Sequence, residues 1–384
     1  MIIGLVGKPS SGKSSFFKAA TLIDVKITGI PFTTIKPNIG VGYVIIDCVD
    51  QELHTKCNPN QGFCKNGKRY IPVRLVDVAG LVPGAHEGRG LGNQFLDDLR
   101  QASVLIHTVD ASGLTDEEGK PTEGHDPNFD IEFLEKELDL WFTDVIKKAL
   151  VKFQRQIARS SKADLVKILT EQLAGLEVSR SQIERTLETA SVTDIEKFTK
   201  LIRHSSKPIL IAANKIDLKP AQENFEKLKQ KHNNIIPTSA ESEIALRKAT
   251  EKGLIDYIPG GNFQIKGSLE ERQKKALEII RKEVIEKYGS TGVQDCLNKS
   301  IFELLNYIAV YPVADANKLT DKKGKVLPDI FLVPKGTTAK DLAFRIHTDL
   351  GEKFICGIDA RTKRRLAADY PLKNNDVVEI MTSK

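Results

Sequence analysis

The fold of this chain is decided by one short stretch near its start, Gly7-Lys8-Pro9-Ser10-Ser11-Gly12-Lys13-Ser14. An apolar run before it, Met1 to Val6, predicts a buried strand, and Ser15 to Thr21 after it predicts a helix. Glycine, four residues and Gly-Lys-Ser between a strand and a helix form the pattern of a phosphate-binding loop. Its glycines let backbone N–H groups approach one anion, and the helix N-terminus adds partial positive charge. The alternative is a chance match in a glycine-containing turn.

The polar residues around this loop have predicted roles in holding a nucleoside triphosphate and Mg²⁺. We expect Lys13 to reach the β- and γ-phosphates and the Ser14 hydroxyl to bind Mg²⁺. The other nucleotide-binding candidates of the loop are Gly7, Lys8, Pro9, Ser10, Ser11, Gly12 and Ser15. In such proteins the loop after the first helix supplies a threonine that binds Mg²⁺ and senses the γ-phosphate. Thr34 is our candidate, and Thr33 is the alternative.

A second motif, Asp77-Val78-Ala79-Gly80, ends an apolar stretch that predicts a strand. Asp-x-x-Gly at this place is the second half of a phosphate site. Asp77 is expected to hold a Mg²⁺-bound water, and the Gly80 N–H to meet the γ-phosphate. The two motifs together predict a triphosphate and its metal ion between them.

The residue that follows this motif is Leu81, where many small GTPases carry a glutamine that positions the attacking water. A leucine cannot position water, so another group, a partner or a bound monovalent cation such as K⁺ must do so. His86 lies in the glycine-rich stretch that follows, and its near-neutral pKa makes it the candidate catalytic group. Arg89 is a further candidate for stabilising developing charge. The alternative for both is a surface position on a loop.

A third motif, Asn214-Lys215-Ile216-Asp217, follows the apolar stretch Pro208 to Ala213 and predicts the base-binding side of the site. Asp217 can accept two hydrogen bonds from guanine, whereas adenine has no donor at N1 and would leave a buried carboxylate unpaired. We expect Asn214 to tie this loop to the phosphate loop and the Lys215 stem to lie on the base. Ser239 and Ala240 follow a short predicted strand, and the Ala240 N–H is expected to meet the guanine O6.

The order of these motifs predicts an α/β phosphate-loop domain with a doubly wound sheet, interrupted once and followed by a second module. Charge-rich helical periodicity with little strand signal predicts an inserted helical domain over residues 129–204, and the alternative is a helix layer of the main domain. The GTPase domain then comprises residues 1–128 and 205–303. Leu304 to Asp315 is expected to connect onward, and the tail reads as strand, helix and further strands. We assign residues 304–384 to this compact α+β module.

Composition limits the classes of protein that this chain can belong to. No run approaches the roughly 18 apolar residues of a membrane helix, and the chain begins directly on a core strand, which predicts no signal peptide. Five cysteines among 384 residues do not indicate a disulfide scaffold. These features predict a cytoplasmic protein that does not contact membranes, and we expect a monomer. The formal net charge of +6 permits contact with nucleic acid.

His54, Cys57 and Cys64 lie in the polar stretch between the second and third long apolar segments. Thiolate and imidazole suit Zn²⁺, so a small metal knuckle is one interpretation. Its spacing lacks a CxxC pair, and no fourth ligand is evident. The favoured interpretation is therefore a plain β-hairpin insertion with free thiols.

Basic residues of the tail form a local cluster at Arg361, Lys363, Arg364 and Arg365. With Lys335 and Arg345 they suit contact with a phosphate backbone. An ordinary solvated surface is the alternative.

The chain resembles the Obg-related GTPases, and most of all the archaeal and fungal group within the YchF branch. The resemblance rests on Pro31-Phe32-Thr33-Thr34 with Pro37-Asn38, and on the run from Asp77 through His86 to Asn93. It implies a Ras-like phosphate-loop domain with a helical insertion and a tail of the ubiquitin-like β-grasp type called TGS. It also implies a hydrolase with a hydrophobic residue at Leu81, and association with ribosomes or structured RNA.

Two positions depart from patterns found within that branch. Many YchF proteins carry glutamate where this chain has Asp217, and they favour ATP, so guanine is the better prediction here. Several potassium-stimulated relatives carry an asparagine where this chain has Ser10.

Three functions follow in order of preference. The first is a GTP-hydrolysing switch with slow intrinsic turnover, linked to the ribosome or RNA. The others are a nucleotide-regulated RNA- or ribosome-binding protein with negligible turnover, and an ATP-preferring hydrolase of the same fold.

Overall fold

The computed structural model describes residues 1–21, 39–78, 99–157 and 161–383, with the backbone alone at 152–157. Its larger sheet has the strand order β2-β4-β1-β5-β6-β7, and β3 pairs with β4 outside this path. These strands are β1 (Ile2–Val6), β2 (Ile39–Asp47), β3 (Phe63–Lys65), β4 (Lys68–Asp77), β5 (Val104–Asp110), β6 (Ile209–Asn214) and β7 (Ile235–Pro237). Neighbouring strands from β4 through β7 are parallel. The predicted phosphate-loop α/β fold is confirmed.

The position of β1 explains where a ligand can bind. From β1 the chain passes to β2, on the β4 side of the sheet, whereas from β5 it passes to β6 on the opposite side, so the connections diverge between the carboxyl ends of β1 and β5. Such a switch point opens a crevice at the edge of a parallel sheet. β5 is buried over its whole length, which is why its sequence lacks the alternation of a strand with one wet face.

The described helices are bounded as follows. They are α1 (Lys13–Thr21), α2 (Pro127–Ile157), α3 (Lys162–Leu173), α4 (Arg180–Thr189), α5 (Ile195–Ser206), α6 (Lys219–Lys231), α7 (Ala240–Glu251), α8 (Glu271–Ile280), α9 (Val293–Lys299), α10 (Ala339–Ile346) and α11 (Thr348–Glu352). In the helical region α2 to α5, Ser161 and Ser179 cap α3 and α4 through reciprocal capping boxes. Buried Phe142, Phe198 and Ile202 pack in one core with Val6 of β1 and Leu105 of β5. Helical structure at 129–204 is as predicted.

The tail forms a five-stranded sheet of order β11-β10-β14-β12-β13. Its strands are β10 (Tyr307–Val313), β11 (Phe331–Pro334), β12 (Phe354–Asp359), β13 (Arg365–Leu366) and β14 (Val377–Thr382), and a separate hairpin joins β8 (Ile255–Tyr257) to β9 (Phe263–Ile265). The expectation that residues 304–315 merely connect was wrong, because β10 pairs with both β11 and β14. The apolar residues of β10 are buried in the tail core, and that burial makes the segment a strand.

The described residues divide into two compact units. Residues 43–73 fall with 301–383 in one unit, and the other described residues form the second. The sequence had assigned residues 43–73 to the GTPase domain. The remaining predicted domain boundaries stay predictions. In the described part of the chain, no helix is both long enough and apolar enough to cross a membrane.

Candidate nucleotide-binding site

The predicted phosphate loop lies between β1 and α1. Two of its glycines are required by close approach of other groups. A Cβ at Gly7 would lie 2.5 Å from the Thr108 carbonyl oxygen, and one at Gly12 would lie 2.2 Å from the Asn214 side-chain nitrogen. Gly12 also has a φ of 89°, in the left-handed region that favours glycine. The loop is therefore fixed against β5 and β6, and β6 ends in the predicted site residue Asn214.

Lys13, Ser14 and Asp77 come together at the start of α1. Asp77 ends β4 and is paired in register with Leu5 of β1, next to the loop. The Lys13 ammonium forms an ion pair with Asp77 Oδ1, and Ser14 Oγ lies 3.5 Å from Asp77 Oδ2. A hydroxyl and a carboxylate are hard oxygen ligands, which suit Mg²⁺. This donor set fits the predicted metal ion.

Asn214 links the phosphate loop to the predicted base-binding loop. Its buried amide donates to the Ser11 carbonyl oxygen at 3.0 Å and accepts from the Ala240 N–H at 3.1 Å. The expected tie between the two loops is present. The Ala240 N–H, which the sequence analysis assigned to guanine O6, is thus already used by Asn214, because α7 begins at Ala240 and turns this N–H toward β6.

Asp217 is half-buried just beyond β6, and Ser239 orients it. The Ser239 hydroxyl donates to Asp217 Oδ1 at 2.7 Å. The same hydroxyl accepts from the backbone N–H of Ser242, and so caps α7. One carboxylate oxygen of Asp217 is therefore held in place by a residue that is itself fixed at a helix start.

Three predicted catalytic or metal-binding residues, Thr34, Gly80 and His86, lie outside the described residues. Thr33, Leu81 and Arg89 lie outside them as well. Their predicted roles stay predictions.

Both family models and individual relatives indicate the family to which this chain belongs. Family models match "50S ribosome-binding GTPase" at residues 2–132, "Obg-like GTPase YGR210-like, G4 motif-containing domain" at 212–315 and "TGS domain" at 318–382. An uncharacterized GTP-binding protein of Methanocaldococcus jannaschii is 48% identical over 100% of this chain and 99% of its own length. The chain belongs to the Obg-like GTPases, in the YchF-like branch.

A solved structure and a second curated protein are also similar to this Obg-like GTPase. The crystal structure of a GTP binding protein from Pyrococcus horikoshii OT3 has a TM-score of 0.79 and 40% identity, and the match covers 100% of both chains. A ribosome-binding ATPase YchF of Mycoplasma pneumoniae is 31% identical over 66% of this chain and 70% of its own length. The family consists of phosphate-loop nucleoside triphosphate hydrolases, so the chain is one of these enzymes, and the resemblance seen in the sequence is confirmed.

Asp110 is a site residue that the motifs did not reveal. It is fully buried at the end of β5 and accepts from Lys215 Nζ at 2.8 Å and from Thr115 Oγ1 at 2.7 Å. Burial raises the pKa of Asp110, but the hydrogen bonds from Lys215, Ser112 and Thr115 outweigh it and leave the pKa below its usual value. Asp110 thus holds Lys215, the lysine predicted to lie on the base. An aspartate directly after an apolar strand, as at Asp77, was the available signal.

The Lys8 side chain is buried and anchors the phosphate loop to Thr115 and Asp130. Its buried ammonium pairs with Asp130 at 2.8 Å and donates to the Thr115 carbonyl oxygen at 2.8 Å. A Cβ at Gly119 would lie 2.6 Å from the Pro9 carbonyl oxygen, so this segment lies directly against the phosphate loop. The Lys8 side chain is therefore a support, and only its backbone remains a candidate for binding phosphate.

The other predicted loop residues differ in exposure. Ser11 is buried, Pro9, Ser10 and Ser14 are exposed, and the Ser15 hydroxyl donates to Glu241 at 2.7 Å. The exposed residues are those that an incoming phosphate could meet without rearrangement of the core.

A buried network behind the base-binding loop was also missed. Glu243 is fully buried on α7, pairs with Arg247 at 2.6 Å and accepts from the hydroxyls of Tyr257 and Thr291. The Ser239 N–H donates to the Thr291 carbonyl oxygen at 2.9 Å. Because its polar atoms are mutually satisfied, the network can hold the loop that orients Asp217. It draws on separate elements and has no local sequence signal.

Proposed function

We propose that this enzyme binds GTP at the site between the phosphate loop and Asp217, and hydrolyses it to GDP and phosphate. The observation that carries the proposal is the double hydrogen bond of Asn214, to Ser11 on one side and Ala240 on the other. It fixes the phosphate and base regions as one site. Guanine has two N–H donors, N1–H and N2–H, and the Asp217 carboxylate would accept a hydrogen bond from each. Adenine has no donor at N1 and would leave that carboxylate without a partner.

The phosphate end contributes charge and position. Lys13, which pairs with Asp77, would contact the β- and γ-phosphates. Ser14 and Asp77, with Thr34, would hold Mg²⁺, which neutralises phosphate charge when bound. The backbone N–H groups between Gly7 and Lys13 would bind the phosphate oxygens. Because Leu81 cannot orient water, we propose slow turnover until a partner, His86 or K⁺ supplies that function.

The cellular setting that we propose is an association with ribosomes or structured RNA, in the cytoplasm and as a monomer. A relative is named a ribosome-binding ATPase, and the TGS model matches the tail. The basic cluster of the tail is smaller than predicted, because Arg361 pairs with Glu52 and Lys363 donates to the Ala316 carbonyl oxygen. Exposed Lys335, Arg345, Arg364 and Arg365 remain available for phosphate contact.

A competition titration of GTP against ATP tests the base preference. We expect GTP to bind at least about tenfold more tightly, which corresponds to about 1.4 kcal/mol, because only guanine pairs with Asp217. Asp217→Glu should narrow that ratio by displacing the carboxylate. Equal or tighter ATP binding to the wild type would favour the ATP-preferring alternative.

Lys13→Ala tests the phosphate end. Nucleotide binding should be lost, because Lys8, the other lysine of the loop, is engaged with Asp130 and the Thr115 carbonyl oxygen. Lys18→Ala is the matched control, since Lys18 is exposed on the same helix. If the Lys13 variant binds GTP as the control does, the site is wrongly assigned.

A further inference from the structure

A cluster of metal-ligand side chains lies outside the nucleotide motifs, in the other compact unit. It consists of Cys48, Asp50, Cys57 and Cys64, whose ligand atoms all lie within 4.8 Å of one another. Cys48 follows the end of β2, Asp50 lies in the next turn, Cys57 in the loop and Cys64 on β3. All four belong to the compact unit that includes the tail.

The strand pairing brings the two ends of this segment together. β3 pairs antiparallel with β4, with Cys64 opposite Arg69, and the Cys48 N–H donates to the Gly67 carbonyl oxygen at 2.8 Å. The hairpin turn thus returns the chain to the end of β2. The loop that follows Asp50 then places the Cys57 thiol beside the other three side chains.

The spacing of the ligand atoms is that of a tetrahedral zinc site. A Zn–S bond of about 2.3 Å and a Zn–O bond of about 2.0 Å place ligand atoms ~3.8 Å apart for two sulfurs and ~3.5 Å for sulfur and oxygen. Here Cys48 Sγ lies 3.7 Å from Cys57 Sγ, and Cys64 Sγ lies 3.8 Å from Asp50 Oδ2. The remaining pairs of ligand atoms lie within 4.8 Å of one another, so all four donors are close enough to contact one ion.

The carboxylate of Asp50 supports the same conclusion. Asp50 is buried, and its Oδ1 has no hydrogen-bond partner among the described residues. A buried carboxylate oxygen without a partner is costly, and a bound cation is one of the few ways to satisfy it. Cys48 is buried beside it.

Arg69 supplies positive charge next to the cluster. Its guanidinium is buried, donates to the carbonyl oxygens of Leu327 at 3.2 Å and Pro328 at 2.9 Å, and acts electrostatically on Cys57. Zn²⁺ with three thiolates and one carboxylate retains negative charge. Arg69 offsets part of that charge, as an outer partner of a metal site does.

We propose that Cys48, Asp50, Cys57 and Cys64 bind one Zn²⁺ as a closed structural site. Four protein ligands leave no open position for substrate, which is the arrangement of structural zinc. His54, which the sequence suggested as a ligand, is exposed and is not one of the four. The other two ligands are Cys48 and Asp50, which lie in the same polar stretch but were not among the predicted ligands.

The site would fix the loop that contacts the tail. Within the same unit, the Asn58 N–H donates to the Val326 carbonyl oxygen at 2.8 Å and the Asn60 N–H to that of Pro328 at 2.9 Å. The Asn60 side chain accepts from Lys325 at 2.7 Å. Zinc at the base of this loop would hold these donors in register with residues 325–328.

The first test measures the metal content of the full-length wild type, purified without a polyhistidine tag and under reducing conditions. Elemental analysis should give one zinc per chain. Exchange with Co²⁺ should give thiolate charge-transfer absorption and the visible bands of tetrahedral cobalt. A thiol-modifying mercurial should release the zinc. A chain that carries no zinc and takes up none, or that carries iron instead, would overturn the proposal.

The second test assigns the ligands. Cys57→Ser and Asp50→Asn should each lower bound zinc well below one equivalent after dialysis against a weak chelator. Cys356→Ser controls for loss of a thiol in the same unit, and His54→Asn controls for a change in the loop itself, where φ is 48° and asparagine is tolerated. Both controls should keep full zinc. Retention of full zinc by both ligand variants would contradict the assignment. So would a Cys48–Cys57 disulfide, detected by mass spectrometry in the wild type as purified under reducing conditions.

Discussion

The phosphate loop and the cysteine cluster are both compact sites, yet the chain builds them in opposite ways. The phosphate loop takes its groups from one unbroken run of eight residues, Gly7 to Ser14, fixed between a strand and a helix. The cysteine cluster takes four side chains from a strand end, a turn, a loop and a second strand. The first site can be recognised from spacing alone. The second depends on the β3–β4 hairpin, whose turn pairs with the end of β2 and so brings Cys64 to Cys48.

The two sites differ in what determines them: a continuous segment of sequence for the phosphate loop, and the pairing of separate segments for the cysteine cluster. Backbone N–H groups bind phosphate, so the loop depends on glycine positions and on a helix start, which are properties of a continuous segment. Thiolates bind metal through side chains, and these come together only when separate segments fold against one another. We therefore expect substitutions in the first region to act on nucleotide affinity, and those in the second to act on metal content and stability.

Gly12→Ala should have the largest effect on the nucleotide site. The added Cβ would meet the Asn214 amide 2.2 Å away, at a φ of 89° that alanine rarely adopts. We expect GTP affinity measured by calorimetry to fall roughly 100-fold, or about 2.7 kcal/mol. Gly124→Ala is the control, because its φ of 77° carries the same kind of strain with no atom within 4 Å of the new Cβ. Equal affinity losses in both variants would show that strain alone, not the Asn214 contact, governs the loop.

Asp110→Asn should weaken the base side of the site. The substitution keeps the shape of Asp110 but removes the charge that holds Lys215 at 2.8 Å. GTP affinity should fall about tenfold, or about 1.4 kcal/mol. Asp256→Asn, which removes a more exposed ion pair with Lys266, should leave affinity unchanged. Wild-type affinity in Asp110→Asn would mean that Lys215 needs no partner.

His107→Leu tests the strand beneath the phosphate loop through pH. Burial, with smaller contributions from Lys8 and His232, lowers the pKa of His107 from 6.5 to about 3. Between these values the unfolded chain binds a proton that the folded chain does not, so stability falls as pH falls from 6.5 toward 3. One such group adds up to about 1.4 kcal/mol per pH unit to the slope.

The slope, measured by urea unfolding at several pH values, should be shallower in His107→Leu than in wild type. The control His54→Asn changes an exposed histidine and should keep the wild-type slope. An unchanged slope in His107→Leu would mean that His107 is protonated in the folded chain.

Glu52→Gln should have the smallest effect of these substitutions on stability, and it separates the contribution of an ion pair from that of the metal. Glu52 pairs with Arg361 at 2.6 Å, but the glutamate side chain is 57% exposed. Such pairs contribute less than about 1 kcal/mol in water. We expect a small loss in the free energy of unfolding and no change in zinc content. A larger loss than in Cys57→Ser would show that the ion pair, not the metal, holds the loop near the tail.

Much of the fold and half of the site were accessible from sequence for a physical reason. The continuous apolar runs of β1, β5 and β6 reflect burial on both faces of a parallel sheet, and a motif follows β1, β4 and β6 at the carboxyl end. The boundary of the tail was less accessible. β10 looked like a connection because its pairing partners, β11 and β14, lie further along the chain.

By itself, the sequence determined the phosphate loop, the Asn-Lys-x-Asp motif and the family, because each depends on residues adjacent in the chain. Only the tertiary structure decided that Asp110 holds Lys215, that Lys8 supports the loop from behind, and that Cys48 and Asp50 complete a metal site. These contacts join side chains brought together by strand order and register. No local pattern encodes that order, because it is selected by burial of the whole sheet.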